Sequence, residues 1–412
     1  MNYKNKNILI TGISGFVGSY LAEHLIKSQA NIFGLVRWRA DGDTPRHIRK
    51  HGLAKNVTLL SGDLLDQGSL ANVIRESQPD LVFHLAAQSF VPRSFNYPGE
   101  TYSTNTTGTM NLLESIRNQN IKPTFIFAGS SEEYGLVYSN QKQYDDFIEK
   151  RGNIFPKPEK IPELPINENN PLRPMSPYAL SKVQGDYMAR SYYMCSKIPT
   201  IVSRAFNHEG AGRGSMFVSS VIAKQVAQIH NKGIQNGIEI GNVNSFRDWS
   251  HVKDIIKGYC LLADKGVPGE IYNQGSQRTD SILTYILLAI KEINLNPTKI
   301  ETFKNGKVII DPLETDKSNI FNTQFDKTKL DALMLNQEIQ FDLSDEGIWI
   351  STEKGKIPVY FNPNRFRSLE VPILLSDTTK INKLGFKVEN DLSSIVKDQL
   401  NYYLEYVDKA TS

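Results

Sequence analysis

The stretch NILITGISGFVGSYL (7–21) decides the fold. NILIT (7–11) is a short apolar run that reads as a strand, and it meets Gly12, Gly15 and Gly18, spaced three apart. From Phe16 to Ser28 apolar residues recur at helical spacing. A strand that runs into glycines and opens a helix suits a dinucleotide. Glycine permits the tight turn and lets the backbone approach a pyrophosphate. The helix start then offers unpaired amide groups and a positive dipole end to the phosphates.

Outward from that stretch the pattern repeats. Strand-like runs at 31–37, 57–63, 81–87 and 124–130 alternate with helical patterns at 69–77 and 104–119. Strands alternating with helices require crossover units, and hence a parallel sheet covered on both faces. The expected fold is therefore α/β, a doubly wound parallel sheet with a smaller C-terminal α/β lobe. The expected division is 1–206 for the dinucleotide-binding domain, with 136–177 inserted, and 207–412 for the second lobe. About 239–279 should return to the sheet, and 300–360 should form a β-rich block. Seven prolines between Phe155 and Pro177 exclude a central strand or regular helix there. GIWISTEKGKIPVYF (347–361) reads as a hairpin.

Bulk properties exclude several function classes. With 47 basic and 44 acidic residues the net charge is +3, which gives no footing for nucleic acid or a membrane surface. Two cysteines, Cys195 and Cys260, make no metal-ligand spacing and suggest a reducing compartment. No stretch approaches membrane length. A cytoplasmic enzyme or binding protein without a metal is expected.

Three further motifs carry chemistry. The second strand ends at Arg37. An acid there would hold the ribose hydroxyls of NAD, whereas an arginine can pair with the extra phosphate of NADP. Asp63, in LLSGDLLD, can accept from an adenine amino group or cap the following helix. Tyr178 and Lys182 lie one helical turn apart on one face. A lysine beside a phenol should lower the phenol pKa and make it a base. AGSSEEYG (128–135) ends the fifth strand, where ligands bind in parallel sheets. Strand alternation puts Ser130 and Glu132 toward the cofactor and leaves Glu133 in solvent.

Together TGISGFVGSYL, SGDLLD, LVFHLAAQSFV, SSEEYG, SPYALSKVQGDY, RAFNHEGAGRG, FRDWSHVKDIIKGY and RFRSLEVP resemble the extended short-chain dehydrogenase/reductase family that acts on nucleotide sugars. The resemblance implies a catalytic set of Ser130, Glu132, Tyr178 and Lys182. It implies NADP, with NAD possible, held by Gly12, Gly15, Phe16, Val17, Gly18, Arg37, Asp63, Leu64, Ala86, Ala87, Tyr178 and Lys182. Gln88, Ser89, Asn207, Arg213, Lys224, Arg247, Arg367 and Glu370 would bind the substrate. The implied reaction is 4,6-dehydration of a GDP-hexose, GDP-mannose first. A 4-keto-sugar reductase or 4-epimerase is the alternative. A homodimer or homotetramer is implied as well. His84 and His251 read as structural and His208 as ordering its loop. Two stretches depart from the family pattern: 136–166 is long, and 300–358 is an added block.

Overall fold

Alternation along the first strands explains the layering. Ile8 and Ile10 are buried against one set of helices and Leu9 against the other, because successive side chains leave a strand on opposite faces. The structure, a computed structural model, describes residues 3–40, 42–366 and 370–410.

Seven parallel strands make the main sheet: β1 (Asn7–Thr11), β2 (Asn31–Val36), β3 (Thr58–Ser61), β4 (Leu81–His84), β5 (Thr124–Ala128), β6 (Thr200–Ala205) and, much later, β11 (Ile271–Gln274). Their order is β11-β6-β5-β4-β1-β2-β3. The order reverses between β1 and β4, and this is where a doubly wound sheet opens its ligand crevice. Early helices are α1 (Phe16–Ile26), α2 (Arg46–Lys50), α3 (Gln67–Ser77), α4 (Val91–Asn96), α5 (Pro98–Tyr102), α6 (Gly108–Asn118), α7 (Gln141–Arg151) and α8 (Pro177–Ser196). Leu70, Val73 and Ile74 of α3 and Leu112, Leu113 and Ile116 of α6 cover one face. Leu21 and Leu25 of α1 cover the other, with Ile255, Ile256 and Tyr259 of α10 (Val252–Lys265).

Helix α8 begins as its sequence dictates. The Ser176 side chain accepts from Ala179 N–H at the N-cap, and Pro177 fills the first turn, where no N–H is needed. The helix ends at Lys197, which adopts a left-handed conformation.

The second half builds its own core. Helices α9 (Val218–Lys232), α11 (Ile282–Glu292) and α14 (Leu392–Ala410) pack with a five-stranded sheet. That sheet runs β14-β13-β17-β18-β8, from β8 (Ile238–Ile240), β13 (Lys299–Thr302), β14 (Val308–Ile310), β17 (Gly347–Thr352) and β18 (Gly355–Phe361). Strands β17 and β18 form the expected hairpin. Short pairs complete the lobe: β7 (Asn207–Glu209) with β10 (Trp249–His251), β9 (Phe246–Arg247) with β12 (Asp280–Ser281), and β15 (Thr315–Asp316) with β16 (Lys327–Thr328).

One expectation needs correction. Residues 238–240 do not return to the main sheet; they pair in parallel with β18, and only β11 rejoins. The block 300–360 holds strands β13 to β18 and one α-helix. Thr328 caps helix α12 (Lys329–Leu335), which buries Leu330 and Met334 in the second core. Among the described residues no helix is long and apolar enough to cross a membrane.

Candidate active site

The glycine turn forms a cradle at the carboxyl end of β1. Gly12 has φ +74°, a left-handed conformation that favours glycine, and a Cβ there would meet Ala86 N at 2.8 Å. A Cβ on Gly18 would meet Gly12 O at 2.2 Å, so α1 can approach the turn this closely only with glycine at that position. Gly15 is the N-cap of α1 and no side chain caps it, leaving the helix start open to an anion. These features fit a dinucleotide, with Phe16 and Val17 as the first helical residues. Ala86 and Ala87 follow β4 across the cradle. Arg37 is exposed immediately after β2. Asp63 does not cap α3; Asp66 does, through Gly68 N–H. Asp63 instead accepts from Leu65 N–H at 2.9 Å at the end of β3, beside the buried Leu64.

At the end of β5 the chain leaves the strand in a single turn. Ser130 caps a short 3₁₀ segment, Ser131–Glu133. Its side chain accepts from Glu132 N–H at 3.2 Å, while Glu133 reaches back to Ser130 N–H at 2.8 Å. The turn presents Ser130 and Glu132 to a cleft of about 740 Å³ that Tyr178 also lines. Ser131 lines the cleft as well, which the expected strand alternation does not allow, because a 3₁₀ turn rotates each residue by about a third of a circle rather than half. Glu133 is the casualty of that expectation. It is not solvated but wholly buried, 3.2 Å from Arg204 of β6.

Tyr178 and Lys182 sit on the buried side of α8. Lys182 Nζ donates to Ala128 O at 2.7 Å and lies 6.0 Å from the Tyr178 ring centre. Burial pushes the phenol up to about 12, and Ser130 and Arg213 are the groups that pull it down. Burial pushes the lysine down to about 8, with Glu133 opposing. The expected depression of the phenol by the lysine is not found: Lys182 is not among the groups that act on Tyr178, and burial governs the phenol.

On the substrate side, Ser89, Asn207, Arg213, Arg247 and Glu370 line the cleft. The Asn207 side-chain oxygen is buried there with no protein partner. Arg213 stacks over Phe217 at 3.8 Å and lies 5.4 Å from the Phe16 ring centre, so it touches both the cradle and the cleft. Arg247 is ion-paired with Glu370 at 3.1 Å and donates to Val371 O. Two expected residues fall elsewhere. Lys224 is exposed on α9 and does not line the cleft. Gln88 is spent on its own loop, bonding Phe90 and Thr101. Arg367 lies outside the described residues.

His208 also lines the cleft. Its Nδ1 is 2.9 Å from Phe206 O, which only accepts, so Nδ1 carries the proton and orders the loop. Burial and Arg213 push its pKa down to about 4, leaving Nε2 as a neutral acceptor. His84 bridges Thr11 and Thr109 within the fold, and His251 caps α10 and meets Asp398. Sequence reading missed the aromatic wall of Phe90, Phe217 and Phe366. Isolated phenylalanines carry no signal that separates a cleft wall from a core. Among the described residues no cluster of His, Cys, Asp or Glu could hold a metal.

Comparison with known proteins agrees with this geometry. Residues 8–275 match the model of the NAD dependent epimerase/dehydratase family. GDP-mannose 4,6-dehydratase of Yersinia enterocolitica is 31% identical over 93% of this chain and 90% of its own length. The enzyme of the same name from Vibrio cholerae serotype O1 is 31% identical over 97% of this chain and 94% of its own. Among solved structures, RMD from Pseudomonas aeruginosa complexed with NADPH superposes with a TM-score of 0.66 at 22% identity, covering 98% of this chain and 100% of that one. dTDP-glucose 4,6-dehydratase from Bacillus anthracis in complex with NAD gives 0.65 at 19%, covering 98% of both. With the glycine cradle, the tyrosine–lysine pair on α8 and a family match over most of its length, the chain belongs to the NAD dependent epimerase/dehydratase family.

Proposed function

We propose that this protein is a nucleotide-sugar 4,6-dehydratase that converts a GDP-hexose, GDP-mannose first, to its 4-keto-6-deoxy form. The observation that carries the reading is Glu132, a carboxylate facing the same cleft as Ser130 and Tyr178. Oxidation and reduction at carbon 4 need no second base. Removing a proton from carbon 5 does.

Bound NADP would supply a hydride acceptor at the start and a hydride donor at the end, so its redox state is unchanged over a cycle. Tyr178 takes the proton of the hydroxyl on carbon 4, and Ser130 holds that oxygen. The ketone so formed acidifies carbon 5. Glu132 takes the carbon 5 proton and passes it to the departing hydroxyl of carbon 6, which leaves as water; a proton from solvent would then return to carbon 5 as carbon 6 takes up the hydride. Lys182 holds the nicotinamide ribose. Arg213 and Arg247 with Asn207 hold the diphosphate, where arginine forks suit paired phosphate oxygens. Arg37 holds the adenosine phosphate, which favours NADP over NAD.

The same reading includes self-association through the helices beside the cleft. Its support is the exposure of Phe95 on α4 and of Leu180, Tyr187 and Met194 on α8, two helices that pack together. Charge balance and the lack of a membrane-length helix among the described residues support a cytoplasmic enzyme.

The direct test is product analysis with GDP-mannose in deuterated water. A 4-keto-6-deoxy product with deuterium at carbon 5 is expected. A 4-epimer, or a product formed only with added NADPH, would make the protein an epimerase or a reductase instead. Thermal stabilisation by GDP should exceed that by UDP or dTDP, since a ligand of the native state raises its stability.

A further inference from the structure

Glu133 stands one residue beyond the glutamate assigned to proton transfer, and the proposed reaction does not use it. It is nonetheless built into the site. Its Oε1 accepts from Ser130 N–H at 2.8 Å, and its Oε2 lies 3.2 Å from Arg204 Nε. Gly129 makes the room: a Cβ there would come within 2.6 Å of Oε1. Arg204 also pairs with Asp186 of α8 at 2.8 Å, and Asp186 holds Arg190 at 2.6 Å. The charged and titratable groups around Glu133 are thus Tyr178, Lys182 and Asp186 from α8, Arg204 from β6, and Tyr134 from its own turn. Glu133 is the carboxylate whose charge acts on Lys182, and it acts on Tyr178 too.

We propose that Glu133 is a positioning residue of this active site: its carboxyl fixes Ser130 against Tyr178, and its charge sets the ionisation of the Tyr178–Lys182 pair. The inference rests on the reading of Tyr178 and Lys182 as the groups of the oxidation step. An anion beside a phenol disfavours the phenolate, and beside an ammonium favours the charged form. Burial and Asp186 push the Glu133 carboxyl up, against Arg204, so its own titration falls closer to that of its neighbours.

Two variants separate the parts. Glu133→Gln keeps the size and an oxygen that can accept from Ser130 N–H, but loses the charge. Glu133→Leu loses both. The readout is cofactor reduction in a single turnover across pH, with GDP-mannose, or with UDP-glucose should the parent oxidise that instead. Glu133→Leu is expected to be slower by about 100-fold, the scale of a misplaced reacting group. Glu133→Gln should recover most of that rate, with the acid limb of its profile moved to lower pH by about one unit. A Glu133→Gln profile that superimposes on the parent's overturns the proposal, as does a Glu133→Leu enzyme as fast as the parent. If Glu133→Leu does not fold, the glutamine profile decides alone. The step measured is common to dehydratases and epimerases. A parent that reduces its cofactor yet releases no 4-keto-6-deoxy sugar would end the dehydratase reading and leave this test intact.

Discussion

Two turns face the same crevice from strands separated only by β4, and they work in different ways. The glycine turn after β1 acts through backbone: free amides, a left-handed Gly12, and the contact of Gly18 with Gly12 O. The polar turn after β5 acts through side chains: Ser130, Glu132 and Glu133 leave one short 3₁₀ segment in different directions. The first is written in glycine spacing, because only glycine fits such backbone geometry. The second depends on which way each side chain points, and a 3₁₀ turn and a strand give different answers from the same letters.

The sharpest way to break this contrast is at the polar turn. Glu132→Gln should lower formation of the 4-keto-6-deoxy product by about 100- to 10,000-fold, the usual contribution of a general base. Oxidation at carbon 4 should survive, so reduced cofactor accumulates on the enzyme and deuterium stays out of carbon 5. A variant with full turnover would mean that side-chain placement in this turn does not govern the chemistry.

At the glycine turn the effect should be one of shape. Gly18→Ala puts a methyl into backbone that cannot move aside, so about 1–3 kcal/mol of stability should go, with weaker binding of either dinucleotide. Gly99→Ala is the control, since nothing lies within 4 Å of that Cβ position, and it should be close to neutral. Equal melting temperatures for the two variants would refute the packing argument.

An effect of similar size is expected at Arg37, exposed just after β2. Arg37→Ala should weaken NADP by roughly 10- to 100-fold, as expected for a lost charged contact worth about 1.5–3 kcal/mol, and leave NAD unchanged. Equal affinity of the parent for NAD and NADP would remove the role assigned to Arg37.

Much of the site was legible because it follows from local rules. The Ser176–Pro177 start fixes where α8 begins, and the four-residue spacing then puts Tyr178 and Lys182 on one face. Alternating Ile8, Leu9 and Ile10 set the two covered faces of the sheet. The errors have two causes. Glu133 and residues 238–240 depend on distant partners, Arg204 and β18, while Lys224 and Gln88 depend on which way one side chain turns, outward on α9 and back to Phe90 and Thr101. Periodicity and spacing describe neighbours along the chain, so they determined the parallel sheet, the cradle and the tyrosine–lysine pair. Only the tertiary structure decided that Glu133, expected in solvent, is buried. Burying a carboxylate requires a charge and a hydrogen-bond donor at the right distance. Ser130 N–H, three residues away, is a local donor, but Arg204, 71 positions along the chain, reaches Glu133 only once β5 and β6 lie side by side.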